Sequence, residues 1–173
     1  MSRLMFCVVL CGLLFVGSQV LAQGANFDGT AVCNFDSTKQ LAVEYQRVSF
    51  DIKKHTFEKE IPFDRVWAPG GKPMTLFTNT PISIGATNLP AGAYTIFVIP
   101  DQKKWTLVVS KSGDTSGRYD EKDDLVRAPM EFGELPSAEP DFSIYFGHIA
   151  PGQCSMRIDL EKTRAWLTIS ESK

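Results

Sequence analysis

His148 and Cys154 are close neighbours in the chain, and an imidazole beside a thiol can hold a metal, activate a thiolate or move a proton. With two histidines and four cysteines in 173 residues, such chemistry has few places to reside. Cys7 and Cys11 fall in an apolar amino-terminal run, which leaves Cys33 and Cys154 at opposite ends of the remaining chain. Two thiols and one imidazole lack the tight paired spacing of zinc sites, so neither a metal nor a cofactor is expected. In an oxidising compartment the cysteine pair reads instead as a structural disulfide. It would close a loop on the order of 100 residues, worth about 4–5 kcal/mol in the chain-entropy account. His55, in the polar run Lys53-Lys54-His55-Thr56, reads as exposed and inert. His148 lies between Phe146-Gly147 and Ile149-Ala150-Pro151-Gly152, where a strand-end loop is expected, and loops of that kind carry binding residues. It is a binding candidate whose plainer role is a bond to a nearby carbonyl.

Carboxylates are densest between Asp114 and Asp124. Calcium needs six to eight oxygens from a tightly folded loop, but the spacing fits no EF-hand and Arg118 and Lys122 interrupt the run. A solvated loop is expected, with an aspartate capping a short helix over Asp120–Leu125. Tyr119, Asp120 and Asp123 are its binding candidates, and Arg127 is expected to pair with Asp120 or Asp123 and pin the loop to a sheet. Paired carboxylates for glycoside hydrolysis are open on paper, because their separation is set only in three dimensions.

Trp67 stands beside Ala68-Pro69-Gly70-Gly71, a turn from which its ring could offer a platform to sugars or apolar ligands. Lys72 follows in the same turn and joins it as a binding candidate. Gly70-Gly71-Lys72-Pro73 lacks the upstream glycine and the Ser/Thr of a phosphate loop. Trp105, Trp166 and most of the twelve phenylalanines are expected in the core. There is no Gly-x-Ser-x-Gly elbow, no His-Glu-x-x-His, no Cys-x-x-Cys and no dinucleotide fingerprint.

The elements that must position these residues begin after the amino terminus. Arg3, the apolar run Leu4–Val16 and the small residues before Ala22 form a basic segment, a hydrophobic segment and a cleavage site. A cleavable signal peptide is expected over 1–22 and one domain over 23–173. A retained anchor is the alternative, but Gly17-Ser18-Gln19 interrupts the run short of a bilayer's thickness. A formal charge of −2 carries no basic excess, which argues against a nucleic-acid partner.

Strand signals dominate the rest of the chain. Leu41–Val48 alternates, with Leu41, Val43 and Tyr45 on one face. Tyr94–Ile99 is apolar on both faces, as in a central strand covered on both sides, and Trp105–Val109 resumes after a hairpin-length gap. Phe142–Phe146 and Cys154–Leu160 are further strands, the latter with Arg157 and Asp159 facing water. Glu161-Lys162-Thr163 reads as a turn before a strand over Arg164–Ser170, and Val32–Phe35, Thr75–Thr78, Pro81–Ile84 and Val126–Phe132 are weaker candidates. Helix is expected only over Asp120–Leu125 and around Glu58–Arg65. The pattern predicts an all-β antiparallel β-sandwich, with a closed β-barrel as the alternative.

Val66-Trp67-Ala68-Pro69-Gly70, Leu89-Pro90-Ala91-Gly92-Ala93-Tyr94, Ile99-Pro100, Trp105-Thr106 and the Tyr119-Asp120, Asp123, Arg127 spacing together resemble the domain of unknown function 2911 family. The resemblance runs from about Leu41 to Ser170 and implies an exported bacterial protein, periplasmic or extracellular, of unassigned role. It transfers no catalytic residue. Many members follow this tryptophan with Arg-Thr-Gly-Ala-Asn-Glu-Ala-Thr, whereas this chain has Ala68–Thr75 without the Arg, Asn or Glu. The resulting expectation is a non-catalytic module that binds a small ligand, a glycan or an envelope protein. A small periplasmic hydrolase of sugars or esters and a structural envelope protein are the alternatives. No stable membrane anchor is expected after signal cleavage.

Overall fold

Alternating strands need a second apolar layer to bury their inward faces, and the chain supplies two. The computed structural model describes residues 28–51, 61–111 and 118–172. The expected signal peptide, His55, the Asp114–Gly117 part of the acidic run and residues 58–60 lie outside the described residues; residues 61–65 form turns and bends in place of the helix expected around Glu58–Arg65, with Asp64 in the left-handed region at φ +57°. Among the described residues ten strands are formed: β1 (Asp28–Asn34), β2 (Gln40–Gln46), β3 (Met74–Thr78), β4 (Ile82–Ile84), β5 (Thr87–Leu89), β6 (Gly92–Ile99), β7 (Thr106–Lys111), β8 (Asp124–Pro129), β9 (Glu131–Ala150) and β10 (Gln153–Glu171). They make a six-stranded sheet in the order β1-β2-β3-β6-β7-β8 and a four-stranded sheet in the order β5-β4-β10-β9, every pairing antiparallel. β1 and β8 remain edges of the larger sheet, so the architecture is a sandwich and not the closed barrel.

Alternation sets which side chains enter the core. Leu41, Val43 and Tyr45 of β2 are buried there, with Ile96 and Val98 of β6 and Met156, Ile158 and Leu160 of β10. Phe97 points to the opposite face of β6 and is buried as well, as expected for a strand covered on both sides. After β2 the chain crosses to the other layer, where Phe50 N donates to Pro140 O and Phe142 N donates to Val48 O, both at 2.8 Å. This crossing brings Phe142 between Tyr45 and Trp67, with ring centroids 5.9 and 5.7 Å away in edge-on geometry. The sulfurs of Cys33 in β1 and Cys154 in β10 lie at bonding distance, with Cα atoms 6.5 Å apart, so the disulfide ties one sheet to the other.

Turn chemistry follows residue type. Gly85 takes φ +59° at the first central position of the β4–β5 hairpin, as a II′ turn requires. Pro151-Gly152, with Gly152 at φ +70°, closes β9 onto β10 in the order that suits a type II turn. The turn expected at Glu161-Lys162-Thr163 does not reverse the chain. Glu161 adopts φ +49° inside a bulge, so β10 bends and runs on as one strand. The same bulge corrects the expectation that Asp159 faces water. Arg164, five residues on, returns over its carboxylate and donates to both oxygens at 2.8 Å, and Asp159 is only 4% exposed.

Phe142→Ala should cost about 3–5 kcal/mol of unfolding free energy in urea titration, since this ring of the four-stranded layer is fully buried against two aromatic partners on the six-stranded side. A loss below about 1 kcal/mol would mean that the two layers do not depend on this contact.

Candidate functional site

β7 and β8 bring two of the candidates, Tyr119 and Arg127, together around Asp124 through a one-residue irregularity. Val109 pairs with Val126, but Ser110 pairs with Asp124, so Leu125 is skipped in a bulge. A regular strand would put Asp124 and Arg127 on opposite faces; the bulge puts both on the outer face of the six-stranded sheet. There Asp124 Oδ1 accepts from the Ser110 hydroxyl at 2.8 Å. Its Oδ2 accepts from the Tyr119 hydroxyl at 2.6 Å and from Arg127 Nε at 2.7 Å. Arg127 Nη2 also donates to the Tyr119 oxygen and lies 3.2 Å from Glu121. The partners of Arg127 are therefore Asp124 and Glu121 and not Asp120 or Asp123, because the bulge turns Asp124 inward to the guanidinium. Asp120 instead accepts from Lys122 N at 3.0 Å, capping a single 3-10 turn over Glu121–Asp123 in place of the longer helix expected there. Asp123 lies 3.9 Å from Lys111, an exposed pair worth little.

Tyr119 completes the clamp by packing edge-on over Phe97 at 5.3 Å. Burial first, and the hydrogen bond to Asp124 second, push its hydroxyl up to about 12. It therefore keeps its proton at neutral pH, and both oxygens of Asp124 are engaged. The arrangement holds a loop to a sheet; it offers neither a free base nor an activated nucleophile.

Beside the clamp, the unpaired edge of β8 faces β10 and the β4–β5 turn across a cleft of about 470 Å³. Its floor is apolar, made by buried Val126, Ala128, Ile84 and Leu167, while exposed Arg127 and Glu131 bring opposite charges to it. Trp166, expected in the core, is half-buried on the outer face of β10, its ring over Gly133 and its residue lining the cleft. The volume falls within the roughly 300–1,000 Å³ of ordinary ligand pockets. Smaller hollows lie elsewhere, one of about 340 Å³ bordered by Lys72, Glu44 and Thr30.

The remaining candidates sit apart from the clamp. Trp67 forms a two-bond bridge with Val98 (2.8 and 3.1 Å) and turns its ring against Phe50 and Phe142. Lys72 is exposed just past the Pro69–Gly71 turn. His148 belongs to β9 and not to a loop, opposite Cys154, with its Nδ1 3.8 Å from that sulfur. Residue patterns point to Tyr119 and Arg127 but pass over Asp124, the hub between them, and over Trp166, Glu131 and the Asp159–Arg164 pair. The one signal for the hub is Asp124 three residues before Arg127, a spacing that becomes meaningful only once the bulge is known.

A family described as a protein of unknown function, DUF2911, matches residues 29–169 of the chain. No curated protein and no solved structure matches it.

Tyr119 is expected to leave a mark on alkaline stability. Its unfolded pKa is near 10 and its folded one about 12, so the stability it contributes is intact below pH 10 and is lost as pH rises to 12. Urea midpoints measured across that window should fall, and Tyr119→Phe should shrink the fall, leaving a part due to Tyr94, whose burial also raises its pKa. Superimposable wild-type and Tyr119→Phe profiles would remove Tyr119 from the account.

Proposed function

We propose that this chain, which belongs to the DUF2911 family, is an exported, non-catalytic module that takes a small ligand with an apolar body and a polar head into the cleft between β8 and β10. The cleft itself is the observation that carries the reading: an apolar floor between two sheets, with a fixed guanidinium at its side. The apolar body would lie on Val126, Ala128 and Leu167, each buried methylene contributing about 0.8 kcal/mol. Asp124 orients Arg127 before any ligand arrives, so little ordering is left to offset on binding. An anionic or hydrogen-bonding head suits Arg127, and Glu131 discriminates by charge. The amino-terminal Arg3 and Leu4–Val16 pattern supports export, and the Cys33–Cys154 pair suits an oxidising compartment. Hydrolysis draws less support, because the proton of Tyr119 is held and the near neighbour of His148 is a disulfide sulfur.

Fluorescent fatty acids and aryl sulfonates titrated into the protein should bind saturably. Ala86→Trp, at an exposed position of the β4–β5 turn that lines the cleft, should weaken them by at least about tenfold without moving the unfolding midpoint. Equal affinity in the variant, or binding only to immobilised glycans at another surface, would defeat the proposal.

A further inference from the structure

Three strands converge at the disulfide, β1 from one end of the described chain and the consecutive β9 and β10 from the other. β1 supplies Cys33, β10 supplies Cys154, and β9 places His148 directly opposite Cys154 in the ladder. One sulfur of each cysteine and a ring nitrogen of His148 all lie within 4.8 Å of one another. Among the described residues this is the one group of three or more His, Cys, Asp or Glu side chains close enough to share an ion. Both cysteines are buried, while His148 is exposed, so the cluster reaches solvent on its imidazole side.

We propose that reduction of the Cys33–Cys154 disulfide converts this cluster into a Cys2His site for a zinc-class cation, making metal binding conditional on redox state. A dithiol reductant supplies two electrons: the sulfur–sulfur bond breaks, each cysteine sulfur takes a proton, and the dithiol leaves as its own disulfide. Zinc then displaces those two protons to solvent and is held by two thiolates and the neutral imidazole.

The geometry asks for little movement. Zinc binds sulfur at about 2.3 Å and imidazole nitrogen at about 2.0–2.1 Å, so ligand atoms around a tetrahedral ion stand roughly 3.5–4 Å apart. His148 Nδ1 is already 3.8 Å from Cys154 Sγ. The sulfurs must part from bonding distance, which rotation about the Cα–Cβ bonds provides while the Cα atoms stay 6.5 Å apart. Three protein ligands leave one tetrahedral position for water or a small molecule, the arrangement zinc adopts where it does chemistry. The disulfide form has no thiolate to offer, so the oxidised protein is the non-binding state. Nothing in this site involves the cleft beside β8, and its outcome is independent of the ligand proposed there.

Cobalt(II) serves as the spectroscopic probe. The full chain is reduced with a dithiol, desalted under inert gas and titrated with cobalt(II), next to the untreated oxidised protein. The reduced protein should develop thiolate-to-cobalt absorption in the near ultraviolet and tetrahedral ligand-field bands in the visible, both erased by zinc. The oxidised protein should develop neither. His148→Ala touches an exposed side chain outside the disulfide, and in the reduced state it should weaken cobalt by at least about tenfold. Zinc should raise the unfolding midpoint of the reduced protein and not that of the oxidised one, and refolding by zinc of a reduced chain that has unfolded supports the site equally. Absence of the thiolate band, an unfolded reduced chain that zinc does not recover, or equal cobalt affinity in His148→Ala overturns the proposal.

Discussion

Burial of one face of β10 against the six-stranded sheet is the constraint on which the other features hang. Met156, Ile158, Leu160, Ala165, Leu167 and Ile169 enter the shared core from this single strand, which pairs with β9 on one side and β4 on the other. Sheet faces are stable in water only when covered, so the length of β10 determines how far the second layer extends over the first. Where β10 runs on beyond β4, toward the free edge of β8, the covering stops and the cleft begins. The disulfide reinforces the same contact from the other end, joining β10 to β1.

Two bulges then do what alternation alone cannot. Strict period-two geometry sends residues at odd separations to opposite faces. Skipping Leu125 lets Asp124 and Arg127 meet, and the left-handed Glu161 lets Arg164 fold back on Asp159. In both places a carboxylate with little exposure gains a guanidinium. That pairing is what makes such burial tolerable, because an unpaired charge there would forfeit its hydration without return. The polar clusters of this sandwich are thus largely satisfied from within, and the apolar cleft beside Arg127 is where it has room for something else.

Tyr119 illustrates how structure reassigns a residue. As a tyrosine among carboxylates and an arginine it invites an acid–base role. Packed over Phe97 and hydrogen-bonded to Asp124, it holds its proton far above neutrality and acts as a strap. Trp67 and Trp166 make the same point as a pair. The tryptophan beside a glycine-rich turn packs against Phe50 and Phe142, while the one inside an alternating strand lies on the outer face over Gly133.

Strand positions, the inward faces of β2, β6 and β10, the pairing of Cys33 with Cys154 and the family were legible in the chain, because period-two burial and cysteine parity are local or countable properties. The single continuous β10, the hub at Asp124, the placement of His148 against a sulfur and the cleft were not. Each depends on how one strand registers against another, and a shift of one residue in register exchanges one face of a strand for the other. Composition and spacing determined what this chain would bury; only the pairing of β7 with β8, and of β9 with β10, decided which polar side chains would meet.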